Sequence, residues 1–161
     1  MSDHVHWLAA RLVMLCRGRN MTVTTAESCT GGLIAGAITA IPGASAVLDR
    51  GFVTYSNAAK TELLGVPAGL IDAAGAVSEA VVLRMAAGAR RRAAADFAVA
   101  VTGVAGPGGG SAAKPVGTVW FSVASRSGAL ARHKVFPGDR DQIRAASVIH
   151  ALETLLAEVN K

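Results

Sequence analysis

Ala26-Glu27-Ser28-Cys29-Thr30-Gly31-Gly32 stands where a short β-rich run, Met21 to Thr25, gives way to an apolar helical run, Leu33 to Ile41. A strand that turns through paired glycines directly into a helix commits the chain to a βα unit, with helices laid against a sheet. The first amides of such a helix lack intrahelical acceptors and can face an anion, either a phosphate or the oxyanion of an acyl transfer. A hydroxyl at that turn can serve as a nucleophile. Serine before a helix is equally the ordinary N-cap, so Ser28 alone leaves both readings open.

The rest of the chain reads as one domain over residues 1–161. Helix one is expected from Asp3 to Arg17, with Val5, Leu8, Leu12 and Leu15 on one face and Gly18 as its stop. Strands are expected over Met21–Thr25, Val47–Tyr55, Phe97–Thr102, Val116–Ala124 and Ala131–Phe136, the last two forming a hairpin around Arg126-Ser127-Gly128. Helices are expected over Leu33–Ala40, Ala58–Leu64 capped by Asn57, and Ser78–Arg92, with an irregular stretch between Pro67 and Ser78. Asp139 with Gln142 forms a capping box for the last helix, which carries Ile143, Ile149, Leu152, Leu156 and Val159 on one stripe. With 52% apolar but only 4% aromatic residues, the core must be closely packed Ala, Val, Leu and Ile. Mixed βα units and a hairpin predict a three-layer α/β/α domain with a mixed sheet.

The uncharged stretch Ser28 to Leu48 is broken by Pro42-Gly43 and diluted by Ser, Thr and Gly, so it does not read as a membrane span. No secretion signal is apparent, and the cytoplasm is the expected location. Cys16 and Cys29 fall in different elements, and the four histidines are scattered, so neither a metal site nor a disulfide is indicated. The net charge of +5 permits an anionic partner. Arg90-Arg91-Arg92, the single basic run, closes a helix where the macrodipole favours cations, and no aromatic residues interleave with the charges. Small anionic substrates therefore suit the chain better than nucleic acid.

Lys60 falls in the first turn of a helix, where the positive dipole end disfavours an ammonium. A neutral lysine can act as the base in Ser-Lys variants of the hydrolase triad, although a single lysine is also an ordinary solvated residue. Tyr55, the only tyrosine, precedes that helix and can relay a proton, orient the lysine, or pack with a wet tip. Thr102 to Gly110 follows a strand but fits neither a Rossmann turn nor a Walker loop; it offers backbone amides to a ligand or a flexible connection. Arg140 and Arg144, one turn apart at a helix start, oppose the dipole unless an anion or Asp139 and Asp141 offset them.

Taken together, T-A-E-S-C-T-G-G at Thr25–Gly32, I-P-G-A-S at Ile41–Ser45, T-Y-S-N-A-A-K at Thr54–Lys60 and G-A-V-S-E at Gly75–Glu79 carry a family resemblance. It continues through T-G-V-A-G-P-G-G-G at Thr102–Gly110, K-P-V-G-T-V at Lys114–Val119 and G-D-R-D-Q-I-R at Gly138–Arg144. Over nearly its whole length the chain resembles the C-terminal domain family of competence/damage-inducible protein A (CinA), whose stand-alone members are nicotinamide mononucleotide deamidases. The resemblance implies hydrolysis of that substrate's carboxamide to nicotinic acid mononucleotide and ammonia, with no metal or other cofactor, and a homodimer or higher homo-oligomer. It maps the nucleophile to Ser28 and the base to Lys60, with Tyr55 assisting. The ligand contacts then fall to Cys29, Thr30, Gly31, Gly32, Thr102, Gly103 and Gly106, with Arg140 toward the phosphate. The alternative is a non-catalytic pyridine-nucleotide-binding or competence-associated interaction module.

Overall fold

Successive residues of Phe97–Val101 send valine to one face and alanine to the other, and this alternation sets the two layers that cover the sheet. The computed structural model describes residues 2–161. Five strands, β1 (Val23–Glu27), β2 (Phe52–Val53), β3 (Phe97–Gly103), β4 (Thr118–Ser125) and β5 (Gly128–Val135), are arranged in the order β2-β1-β3-β4-β5. β1 runs parallel to both neighbours, and β3-β4-β5 is antiparallel, so the sheet is mixed as expected. Val23, Val99, Val101, Val119, Phe121 and Val123 pack under helices α1 (Asp3–Arg19), α2 (Leu33–Thr39) and α6 (Arg140–Val159). Ala26, Ala98, Ala100 and Ala124 line the opposite face, where α3 (Asn57–Leu64), α4 (Ala68–Ala74) and α5 (Glu79–Ala93) lie. Small side chains on that face let α5 approach the strands closely, which is how a chain poor in aromatics reaches native packing density.

Several element boundaries differ from those expected. α1 runs through Gly18 to Arg19 and is closed by Asn20 in the left-handed region at φ 53°. β1 is displaced two residues toward the C-terminus, because Asp96 accepts from the Thr22 amide and hydroxyl and fixes where β1 starts against β3. The displacement puts Glu27 in the strand. The long second strand shrinks to Phe52–Val53: Ala44–Ala46 forms a 3-10 turn, and Gly51 passes so close to Thr25 that a Cβ there would lie 2.5 Å from its Oγ1. The segment expected to be irregular contains α4, entered through Pro67 at φ −60° and ended by Gly75 at φ 79°. α3 is capped by Ser56, whose Oγ accepts from the Ala59 amide at 3.0 Å, rather than by Asn57. The hairpin turns on Arg126-Ser127 alone, with Ser125 paired to Gly128. The Asp139–Gln142 capping box forms as expected. No helix among the described residues is long and apolar enough to cross a membrane.

Candidate active site

Parallel register aligns Glu27 of β1 with Val53 of β2 and with Val101 of β3, so β1 and β2 end at one level while β3 runs on to Gly103. In open α/β sheets, ligands bind beyond the carboxyl ends of the strands, where connections leave on opposite faces. Here α2 leaves β1 toward one face and α3 leaves β2 toward the other. Ser28 is the first residue past the end of β1, tied by its amide to the Val101 carbonyl at 3.0 Å and only 8% exposed.

Lys60 comes to Ser28 from α3. Its Nζ donates to the Ser28 Oγ at 3.0 Å and to the Thr54 carbonyl at 2.8 Å. The side chain is 1% exposed and takes part in no ion pair among the described residues. Burial without a counter-charge disfavours the ammonium and pushes the amine's pKa below its ordinary 10.5, with proximity to Cys29 acting weakly in the other direction. Desolvation is the main cause that lowers this lysine's affinity for a proton.

Cys29, the neighbouring thiol, is buried, and desolvation pushes its pKa up to about 11, so it is protonated at neutral pH. Tyr55 does not bond to the lysine. It stands at the mouth, 61% exposed, where its hydroxyl accepts from Arg140 Nη2 at 2.9 Å. Arg140 Nη1 donates to the Gly106 carbonyl at 2.8 Å, so this guanidinium joins α6, the glycine-rich loop and the segment after β2. Asp139 is occupied in capping α6 and does not neutralise Arg140. Arg144 instead reaches the serine turn, donating from Nε to the Cys29 carbonyl at 3.1 Å and from Nη2 to the Thr30 carbonyl at 3.5 Å, with Asp141 3.9 Å away. Thr102 lies beside the turn with its hydroxyl donated to the Ala76 carbonyl at 2.9 Å. Gly103 serves close packing: a Cβ there would stand 2.7 Å from Val119.

The helix start does not offer its amides as expected. The buried Glu27 carboxylate accepts from the Thr30 hydroxyl at 2.7 Å and from the amides of Gly32 at 3.1 Å, Ile34 at 3.0 Å and Ala35 at 2.9 Å. The Gly31 amide closes a turn onto the Ser28 carbonyl at 3.1 Å. Among the described residues, the amides of Cys29 and Thr30 donate to no other residue.

Residues 5–159 match the CinA C-terminal domain. The chain belongs to that family. It is 52% identical over 158 residues to a nicotinamide-nucleotide amidohydrolase PncC of Enterobacter agglomerans, covering 98% of this chain and 96% of that one. A Pseudomonas putida protein of the same name is 54% identical over 154 residues, 96% of each chain. The crystal structure of competence/damage inducible protein CihA from Agrobacterium tumefaciens superposes with a TM-score of 0.97 at 50% identity, covering 100% of this chain and 98% of that one.

Two residues of this CinA domain site escaped the sequence reading. Glu27 lies beyond the expected strand end, and the one signal near it is Gly32, a glycine that cannot cap the next helix by its side chain. Thr54 contributes only a carbonyl, for which side-chain chemistry carries no signal.

Proposed function

We propose that the chain hydrolyses the carboxamide of nicotinamide mononucleotide, giving nicotinic acid mononucleotide and ammonia, with Ser28 as nucleophile and Lys60 as general base. The observation that carries this reading is the 3.0 Å contact between a buried amine lacking a counter-charge and the hydroxyl at the end of β1. The names borne by the Enterobacter agglomerans and Pseudomonas putida relatives support the substrate.

Thr54 holds one N–H of the neutral amine, which aims the nitrogen lone pair at the Ser28 hydroxyl. Lys60 takes that proton as Oγ attacks the carboxamide carbon. The carbonyl π electrons move to oxygen, and the amides of Cys29 and Thr30 meet the developing charge. The Lys60 ammonium then protonates the amide nitrogen, the C–N bond breaks, and ammonia leaves an acyl-serine. Lys60, neutral again, takes a proton from water; the hydroxide adds to the ester carbon, and the returning proton releases Ser28 and the carboxylic acid. Arg140, with N–H groups beyond those given to Tyr55 and Gly106, is assigned to the substrate phosphate, and Tyr55 to the mouth over the pyridine ring. Thr102, Gly103 and Gly106 shape the wall beside Ser28.

A binding module would have no use for an amine buried against a hydroxyl. The reading includes assembly as a homodimer or higher homo-oligomer and a cytoplasmic location, tested by light scattering and by cell fractionation. The deciding experiment is incubation with nicotinamide mononucleotide while following ammonia and the acid product, with Ser28→Ala alongside. Turnover by the wild type and none by the variant is expected. Undiminished turnover by Ser28→Ala would remove the assigned nucleophile.

A further inference from the structure

Glu27 is the only buried carboxylate among the described residues, and the hydrolytic cycle gives it no task. It forms no ion pair; its partners are one hydroxyl and three amides. Four donors distributed over both its oxygens satisfy its acceptor capacity without a cation. A serine or aspartate at the position of Gly32 could have capped α2 from the surface. Reaching back from β1 does more, because the atoms that Glu27 grips lie at residues 30, 32, 34 and 35, while its own backbone adjoins Ser28. The carboxylate thus closes a ring around the turn that carries the hydroxyl.

Arg144 braces the same turn through its carbonyls. In a trans peptide the N–H points opposite to the C=O, so gripping the Cys29 carbonyl turns the Thr30 amide away from Arg144. Glu27 meanwhile consumes every amide of the α2 start that could compete for an anion, apart from those engaged in turns.

Resting on the Ser28 assignment above, we propose that Glu27 is a positioning residue for the nucleophile turn. By holding Thr30, Gly32, Ile34 and Ala35, it fixes the Ser28 hydroxyl against Lys60 and reserves the Cys29 and Thr30 amides for the oxyanion. The start of α2 is accordingly closed to the substrate phosphate, which must be held elsewhere.

The test compares the wild type, Glu27→Gln and Thr30→Val in two assays. Glutamine keeps the shape but replaces one acceptor by an N–H₂ group facing donors, so the turn must shift. Misplacement on the ångström scale lowers turnover by about 100-fold. The expected result for Glu27→Gln is a kcat reduced by about 10- to 100-fold with KM for nicotinamide mononucleotide nearly unchanged, and a parallel slowing of Ser28 phosphonylation by a fluorophosphonate probe. Thr30→Val, which removes one donor and preserves shape, should move both readouts in the same direction by less. Folding is followed by circular dichroism, and rates are taken on the folded fraction; Thr30→Val carries the test if Glu27→Gln does not fold. Wild-type kcat and labelling rate in folded variants would overturn the proposal, as would a rise in KM at constant kcat. Labelling at Ser28 that slows in the variants, in a wild type that releases no ammonia from this substrate, would reject the substrate and support the positioning role. A wild type that is neither labelled nor active would overturn the nucleophile and this proposal together.

Discussion

Lys60 Nζ lies 3.0 Å from Ser28 Oγ across 32 residues of sequence, and its other partner is the carbonyl of Thr54. No carboxylate pairs with this amine among the described residues, so the interior lowers its pKa from 10.5. The base form gains population as pH rises through that lowered pKa. The acid limb of kcat/KM is therefore expected to rise with a single ionisation below 10.5 and to vanish from the profile of nucleophile-independent substrate binding. A limb rising only at or above the ordinary lysine value would contradict the neutral-amine assignment.

Linkage makes the same burial visible in stability. A lysine whose folded pKa is depressed binds fewer protons in the native than in the unfolded state between the two values, so stability rises with pH across that interval. Below the folded pKa the penalty is complete; above 10.5 it is gone. Lys60→Met, which keeps the stem and removes the amine, should be more stable than the wild type at neutral pH, with the gap closing toward 10.5, while losing at least about 100-fold in kcat. Denaturant melts of both proteins at several pH values measure the gap.

Cys29 adjoins Ser28, the proposed nucleophile, in sequence, yet its pKa is pushed up to about 11 by burial, which keeps the better intrinsic nucleophile protonated. Cys29→Ser is expected to keep most of the wild-type turnover, and alkylating reagents to inactivate only slowly. Loss of ammonia release in a folded Cys29→Ser protein would transfer the chemistry to the thiol.

Sequence patterns revealed the layers of this domain because valine and alanine alternate strictly along β3, and they located Ser28 because glycines punctuate the turn after it. The same punctuation marks α4, from Pro67 to Gly75, but seven residues with a glycine inside carry too weak a periodicity to count as a helix. β2 was overestimated because Val47–Tyr55 is apolar enough for a strand, whereas the close pass of Gly51 over Thr25 is a tertiary fact. Lys60 and Ser28 were each legible as residue types; their meeting depends on the parallel register of β1 and β2. Glu27 carries no such mark, because its burial depends on the two-residue displacement of β1 that brings it into the interior.

Arg140 reaches both Tyr55 and Gly106, and a guanidinium has five N–H donors, so several remain for a phosphate. Charge-assisted hydrogen bonds contribute about 1.5–3 kcal/mol each, so Arg140→Ala should lower kcat/KM for nicotinamide mononucleotide by roughly 10- to 100-fold. The dephosphorylated riboside should be affected far less, and the preference of the wild type for the phosphorylated substrate should shrink. Equal losses on both substrates would assign Arg140 to bracing the mouth alone.

Gly88 sits in the middle of α5, where alanine would ordinarily favour the helix by about 1 kcal/mol. Here a Cβ would come 2.0 Å from the Leu64 carbonyl oxygen and 2.9 Å from its carbon, both backbone atoms that cannot swing aside. α3 must then lift from α5, a form of overpacking that costs about 1–3 kcal/mol. Lys60 stands one turn before Leu64 on the same helix, so lifting α3 also moves the proposed base. Gly88→Ala is expected to lower both Tm and kcat, whereas Gly69→Ala in α4, with nothing within 4 Å of the added methyl, should raise Tm slightly and leave turnover unchanged. Thermal melts and ammonia assays on the two variants separate the effects: a Gly88→Ala protein with lowered Tm but full kcat would show that Lys60 tolerates movement of α3, and would weaken the case that its placement is held tightly.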